Sequence, residues 1–385
     1  MESPSLPMTP KDWTTTTLHR ACSMQGVEDD VSYVNNSDSQ ALAITLSKPI
    51  LISSLQSIKL FSNNSPIRIT DLGCATGSNT FTTVDTVVET LLRRYTAGGG
   101  SIPEIEAFFS DLPSNDFNLL FKLLTEKQKV DSPTKYFACG VAGSFYDRLF
   151  PRGTIHVAVS LSALHWLSQI PEKVLEKGSK TWNKGKTWIE GAKKEVVDAY
   201  AEQSDQDLEN FLKCRKEEMV KGGVLFALMA GRPSGSSSQL GDQDTRAKHP
   251  FTITMEQAWQ DLIDEGLIDE ETRDGFNIPA YMRSPEEVAV AIDRIGSFKI
   301  EKMEYMTVVE HSDAKKEEWK KDPVSYGRAR TSLVQAAIRP MVEAYLGPDL
   351  CNELFKRYEN RVSTNQEFLH KTCFYGIVVF SAIRI

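Results

Sequence analysis

Ile67-Arg68-Ile69-Thr70-Asp71-Leu72-Gly73 alternates along a short run and stops at a glycine, and Phe81 to Tyr95 behind it sets Val84, Val87, Val88, Leu91 and Leu92 on one helical face. The apolar period thus changes from 2 to about 3.6 across a glycine-bearing turn. A strand that runs straight into a helix needs a parallel neighbour, because the chain must travel back before the next strand begins. The pattern recurs: Ile105 to Phe109 ends at Asp111, Lys135 to Gly140 and Thr154 to Ser160 follow, and Gly223 to Met229 comes after a polar helix over about 193–221. Strands alternating with helices specify an open, mostly parallel α/β sheet. Phe298 to Glu310 and Phe374 to Ile385 read as long strands, suited to an antiparallel edge.

A helix over Ser39 to Lys59 precedes the first strand, and helical blocks at roughly 253–266, 284–295 and 328–360 lie outside the alternating pattern. They read as a helical cap over the carboxyl edge of the sheet, where ligands bind in open α/β folds. The expected organisation is a mobile tail over 1–18, a core with acceptor-site elements over 19–250, a cap over 251–297 and 312–370, and sheet-completing strands over 298–311 and 371–385.

The 385 residues carry a net charge of -8, which argues against a nucleic-acid partner, for which a basic face is expected. The six cysteines, Cys22, Cys74, Cys139, Cys214, Cys351 and Cys373, form no CxxC pair and suit a reducing compartment. No apolar run approaches the ~18–20 residues of a membrane span, and no signal core opens the chain. A cytoplasmic protein without a membrane partner is the expectation.

The loop Asp71-Leu72-Gly73-Cys74-Ala75-Thr76-Gly77 turns backbone N–H groups at a helix start toward an anionic or zwitterionic ligand. Gly73 and Gly77 allow approaches that a Cβ would block, and Asp71 can meet a positive group such as a methionine amino group. The spacing D-x-G-x-x-x-G departs from GxGxxG, and a ligand-free strand-to-helix turn stays open as an alternative. Asp111, ending the next strand, can take ribose hydroxyls, or cap a helix. Ser144-Phe145 can flank an adenine, and His165-Trp166 stands where a second ligand would lie; both aromatics also suit a core. There is no GxSxG and no HExxH, and Gly185-Lys186-Thr187 has Lys180 where a P-loop needs its first glycine.

These blocks resemble the plant SABATH carboxyl methyltransferases over nearly the whole chain. The likeness rests on Ser23-Met24-Gln25-Gly26, Ser32-Tyr33 with Asn36-Ser37, Asp71-Leu72-Gly73-Cys74, and Asp111 through Asn118. It continues through Gly143-Ser144-Phe145-Tyr146, Arg148-Leu149-Phe150-Pro151, Leu164-His165-Trp166-Leu167-Ser168-Gln169 and Phe276-Asn277-Ile278-Pro279. Within that family the stretches Glu176 to Ala201, Gly231 to Gln260 and Tyr345 to Tyr358 most resemble the gibberellin carboxyl methyltransferases. The resemblance implies a Rossmann-like S-adenosylmethionine-dependent core with an α-helical cap, as a homodimer. It implies that Ser37, Asp71, Gly73, Asn79, Asp111, Leu112, Ser144 and Phe145 hold S-adenosylmethionine. Gln40, Trp166 and His165 would act on the acceptor carboxylate, in a pocket with Gln25, Tyr33, Phe251 and Tyr281, to which Met255, Ile278 and Phe374 add apolar surface. Asn183, Asp274, the Phe276 carbonyl and Asn277 match a structural magnesium site of several relatives. Salicylate- and jasmonate-type relatives carry lysine at the position of Gln25, a departure that disfavours a small planar aromatic acid.

The implied product is a gibberellin methyl ester, with less active hormone as the consequence. Indole-3-acetate, jasmonate, benzoate, salicylate or another terpenoid acid stays open as acceptor. A nucleotide-dependent oxidoreductase and a non-catalytic hormone-binding protein are the readings from other classes.

Overall fold

The computed structural model describes residues 37–61, 65–99, 101–130, 136–235, 251–309, 311–365 and 374–385. The expected tail over 1–18, with Gln25 and Tyr33, lies outside the described residues, as do the side chains of Phe251 and Phe374.

Helix α1 (Asp38–Ser57) precedes strand β1 (Ile67–Leu72), followed by α2 (Ser78–Ala97), β2 (Ile105–Asp111), α3 (Phe117–Val130), β3 (Phe137–Ala142) and β4 (Ile155–Leu161). The long α4 (Lys194–Glu218) leads into β5 (Met219–Ala230). Then come α5 (Phe251–Asp264), α6 (Glu270–Asp274), α7 (Pro285–Ile295), β6 (Phe298–Val309), α8 (Asp313–Lys321), α9 (Pro323–Leu346), α10 (Pro348–Thr364) and β7 (Phe374–Arg384). The seven strands lie in the order β3-β2-β1-β4-β5-β7-β6. The first five are parallel, while β7 runs antiparallel to both β5 and β6.

β4 is buried at every position, as a central parallel strand covered on both faces must be. One face carries α1, α2 and α3 through Leu51, Val84, Val88 and Leu120. The other carries the second half of α4 through Leu208, Phe211 and Leu212, and α7 through Val288, Ala291 and Ile292. The sequence reading assigns 284–295 to the cap; the apolar stripe of α7 lies against the sheet. Its ends are written locally: Ser284 and Glu287 form a reciprocal capping box, Pro285 opens the helix, and Gly296 closes it at φ 59°.

A separate apolar cluster joins the first half of α4 to α5, α8, α9 and α10, with Trp259, Phe276, Tyr345, Phe355 and Tyr358 fully buried. The helical block expected over 328–360 is two helices, divided where Gly347 takes φ 80° before Pro348. Among the described residues no helix is long and apolar enough to cross a membrane.

Candidate active site

The chain order places β1 and β4 side by side, with α2 leaving toward one sheet edge and later elements building toward the other. That reversal is the switch point at which open α/β sheets bind ligands. The loops after β1 and β4 therefore face each other across about 4.8 Å of strand spacing.

Gly73 makes their contact possible. Its φ is 84°, and a Cβ there would sit 2.4 Å from the Ala163 Cβ and 3.4 Å from the Phe145 ring. Its N–H and that of Cys74 both donate to the Ser110 carbonyl, tying the turn to the end of β2. Among the described residues Ala75 and Ser162 are the non-glycines with positive φ, one in each facing loop. Such backbone needs its surroundings to hold it. The Ala75 N–H donates to Asp111 Oδ2 at 2.8 Å, Asn115 Nδ2 donates to the Ala75 carbonyl at 3.3 Å, and the Ser162 N–H donates to the Leu228 carbonyl at 2.8 Å.

Asp71 is buried with Oδ2 accepting from Thr80 Oγ1 at 2.5 Å, while Oδ1 has no partner. Burial pushes its pKa up to about 7; the Thr80 bond opposes this and the charge of Asp111 adds to it. Asp111 accepts from the Ala75 and Leu112 N–H groups, yet burial still lifts it to about 6. A buried carboxylate with an unpartnered oxygen and a half-buried one beside it fit a ligand that carries ammonium and sulfonium charge. Ser37 caps this region from α1, its carbonyl 3.5 Å from Asn79 Nδ2. Ser144 Oγ accepts from the Tyr146 N–H at 3.2 Å, and Phe145 packs edge-on against Tyr146 and Phe211.

The loop after β4 carries His165 and Trp166, their rings 5.3 Å apart. The Tyr281 N–H donates to the His165 carbonyl at 2.9 Å, the Leu167 N–H to the Pro279 carbonyl at 2.7 Å, and the Tyr146 hydroxyl to the Trp166 carbonyl at 2.6 Å. His165 is half-buried, and desolvation followed by the charge of Arg283 lowers its pKa to about 4. It is a neutral ring at physiological pH, with Nδ1 unpartnered. Gln40 also holds a buried, unpartnered Oε1. Tyr281 is fully buried and gives its hydroxyl to Glu287 at 2.8 Å, so its side chain offers a ring face rather than a donor.

Asn183, Asp274 and Asn277 converge under the cap, where two of their oxygens already serve protein donors. Asp274 Oδ1 accepts from the Gly185 N–H at 2.9 Å and lies 2.9 Å from the Arg273 guanidinium. Asn277 Oδ1 accepts from Asn183 Nδ2 at 2.6 Å and from the Tyr200 hydroxyl at 3.3 Å. The atom left without a partner is a donor, Asn277 Nδ2. Magnesium requires near-octahedral oxygen ligation, and a single carboxylate neutralised by an arginine does not supply it. The implied magnesium set finds no support in this arrangement: among the described residues no group of three or more His, Cys, Asp or Glu could hold an ion.

Four charged residues not evident from the sequence support these loops from behind. Arg215 and Glu218 form a buried ion pair at 2.7 Å. Arg215 donates to the Phe145 and Asp147 carbonyls, and Glu218 Oε1 accepts from the Leu149 and Phe150 N–H groups. Asp207 and Arg283 flank the loop after β4 in the same manner. The available signal is positional: Asp207 and Arg215 fall on the apolar stripe of α4 with Leu208, Phe211 and Leu212.

The sequence model described as SAM dependent carboxyl methyltransferase matches residues 19–384. Gibberellic acid methyltransferase 2 of Arabidopsis thaliana is 86% identical over the full length of both chains. Gibberellic acid methyltransferase 1 of the same plant is 59% identical, over 96% of this chain and 98% of its own. Among solved structures, a loganic acid methyltransferase with SAH is similar with TM-score 0.80 and 30% identity, over 94% of this chain and 98% of that one.

Proposed function

The chain belongs to the S-adenosylmethionine-dependent carboxyl methyltransferases, and on that premise we propose that it esterifies the carboxylate of a gibberellin, giving the methyl ester and S-adenosylhomocysteine. The observation that carries the site assignment is the meeting of the Asp71–Gly73 turn with the His165–Trp166 loop at the carboxyl ends of adjacent strands. One loop suits a cationic donor and the other a carboxylate.

S-adenosylmethionine supplies a methyl group on a sulfonium, so a C–O bond forms as the S–C bond breaks and opposite charges cancel. A carboxylic acid with pKa about 4–5 is ionised at neutral pH, so no general base is needed. His165, held neutral, orients the carboxylate rather than taking its proton. The Trp166 indole N–H and the Gln40 amide complete a neutral donor set, which avoids the strong ground-state stabilisation of a bidentate guanidinium. Asp71 and Asp111 hold the amino and ribose ends of the donor. Excluding water from the site would lower the barrier, because water stabilises separated charge more than the charge-dispersed transition state. Positioning contributes the rest, up to roughly 7–11 kcal/mol for well-aligned partners.

A gibberellin rather than a planar aromatic acid is supported by the two gibberellic acid methyltransferases among the relatives. A homodimer in the cytoplasm travels with this reading as an implication of the resemblance. Magnesium is left out, because Asp274 and Asn277 already satisfy protein donors. The test is a methyl-transfer screen over gibberellins, indole-3-acetate, jasmonate, salicylate and loganic acid, with wild type and Trp166→Ala. Gibberellin ester formation, lowered at least tenfold in the variant with unchanged cofactor affinity, is expected. Turnover of another acid with gibberellins inert would overturn the substrate assignment and leave the reaction class standing.

A further inference from the structure

The acceptor loop from Leu164 to Ser168 is gripped at both ends by buried charge. Arg283, 1% exposed, donates through one guanidinium nitrogen to the Leu164 carbonyl and through the other to the Ser204 carbonyl on α4 at 2.8 Å. Asp207, also 1% exposed, accepts from the Ser168 N–H at 2.8 Å, the Ser168 hydroxyl at 2.6 Å and Gln203 at 2.9 Å. The two groups feel each other's charge. Arg283 is fixed in turn, since its carbonyl accepts from the Arg232 N–H at 3.0 Å and it bridges to Gly231 at the end of β5.

Burying a guanidinium is costly, and a loop that only needed closing could be held by neutral groups. The planar fork of arginine, unlike the ammonium of lysine, fixes the two carbonyls it spans in one geometry. With both ends clamped, the carbonyls of His165 and Trp166 are also taken, by the Tyr281 N–H and the Tyr146 hydroxyl, so the main chain of the loop is held along its length.

We propose that Arg283 and Asp207 are a positioning pair for methyl transfer, clamping the loop so that His165 and Trp166 meet the acceptor carboxylate at reacting distance. This rests on the reading of Trp166 as a carboxylate donor. The pair acts through the loop and not on the substrate, because the terminal nitrogens of Arg283 are engaged by main-chain carbonyls.

A misplacement of about 1 Å can cost about 100-fold in rate, so the effect falls on kcat more than on KM or donor binding. The experiment uses the full chain with Arg283→Met, Arg283→Lys, Tyr146→Phe and Trp166→Ala. Calorimetry gives S-adenosylmethionine affinity, and steady-state assays with the turned-over acid give kcat and KM. Arg283→Met is expected to lower kcat at least tenfold with donor Kd within twofold of wild type, and Arg283→Lys, which cannot span both carbonyls, to recover only part of that loss. Tyr146→Phe keeps the ring but removes the hydroxyl that bonds the Trp166 carbonyl and meets Arg283, and serves if Arg283→Met does not fold; a three- to tenfold fall in kcat is expected. If Trp166→Ala is inactive while the folded Arg283 and Tyr146 variants keep kcat within twofold, the positioning pair is wrong and the site reading stands. Parallel loss of donor affinity and kcat would mark general loosening and also overturn the pair. If Trp166→Ala itself is near wild type, the acceptor-site reading falls and the pair falls with it.

Discussion

Donor binding should release protons, in an amount set by Asp71 in the cofactor loop and Asp111 at the end of β2. Without a ligand, burial lifts Asp71 to about 7 and Asp111 to about 6. An ammonium group placed on the unpartnered Asp71 oxygen, and ribose hydroxyls donated to Asp111, both favour the ionised forms and draw each pKa back down. At pH 6.5 about three-quarters of Asp71 and one-quarter of Asp111 are protonated, so binding should release about one proton. The sign is fixed: a raised acid that must ionise to bind makes affinity fall as pH falls through its ligand-free pKa. Between pH 7.5 and pH 6.0 the two groups together should weaken binding about 15-fold, or ~1.6 kcal/mol. Titration calorimetry in two buffers of different ionisation enthalpy counts the protons directly. The adenosine analogue 5′-methylthioadenosine, which lacks the amino-acid end, should release far fewer. Equal release with both ligands, or none with either, would refute the assignment of Asp71 to the amino group.

Gly73→Ala places a Cβ 2.4 Å from that of Ala163 at φ 84°, where a side chain costs roughly 1–2 kcal/mol before any overlap; donor affinity should drop more than tenfold, read by calorimetry on a protein whose circular dichroism is unchanged. Arg215→Met leaves Glu218 as a buried, uncompensated charge and should cost about 3–5 kcal/mol in urea unfolding, with a loss under about 1 kcal/mol contradicting the burial argument. Chelation followed by metal analysis should leave turnover and melting temperature unchanged and find no stoichiometric magnesium, whereas a bound ion that chelation removes with loss of stability would show that the Asp274 and Asn277 bonds rearrange.

The strand-to-helix turns were legible because each carries its own punctuation: apolar alternation, a glycine and a helical face follow one another within a few residues. Asp71 and Asp111 were legible for the same reason, since both stand at strand ends that the topology must bring to one edge. The address of a helix is not written in its period. The stripe of α7 fits a cap or a sheet equally well, and its contact with α4 decides the matter. Helix α8 is charged along most of its length and buries chiefly Trp319, so no periodic face announces it. Arg283 and Asp207 interact across a long stretch of chain, and in isolation each reads as a solvated charge. Only the fold turns them inward.

Helix α4 reaches both loops of the candidate site. Through Arg215 it anchors the loop that bears Phe145, and through Asp207 and the Ser204 carbonyl it anchors the loop that bears Trp166. The two anchors lie about two turns apart, or roughly 12 Å along a rigid axis at ~1.5 Å per residue. A single helix thereby acts as a ruler between the two loops. Cap residues on α5, α9 and α10 lie outside that spacing and can change without altering it.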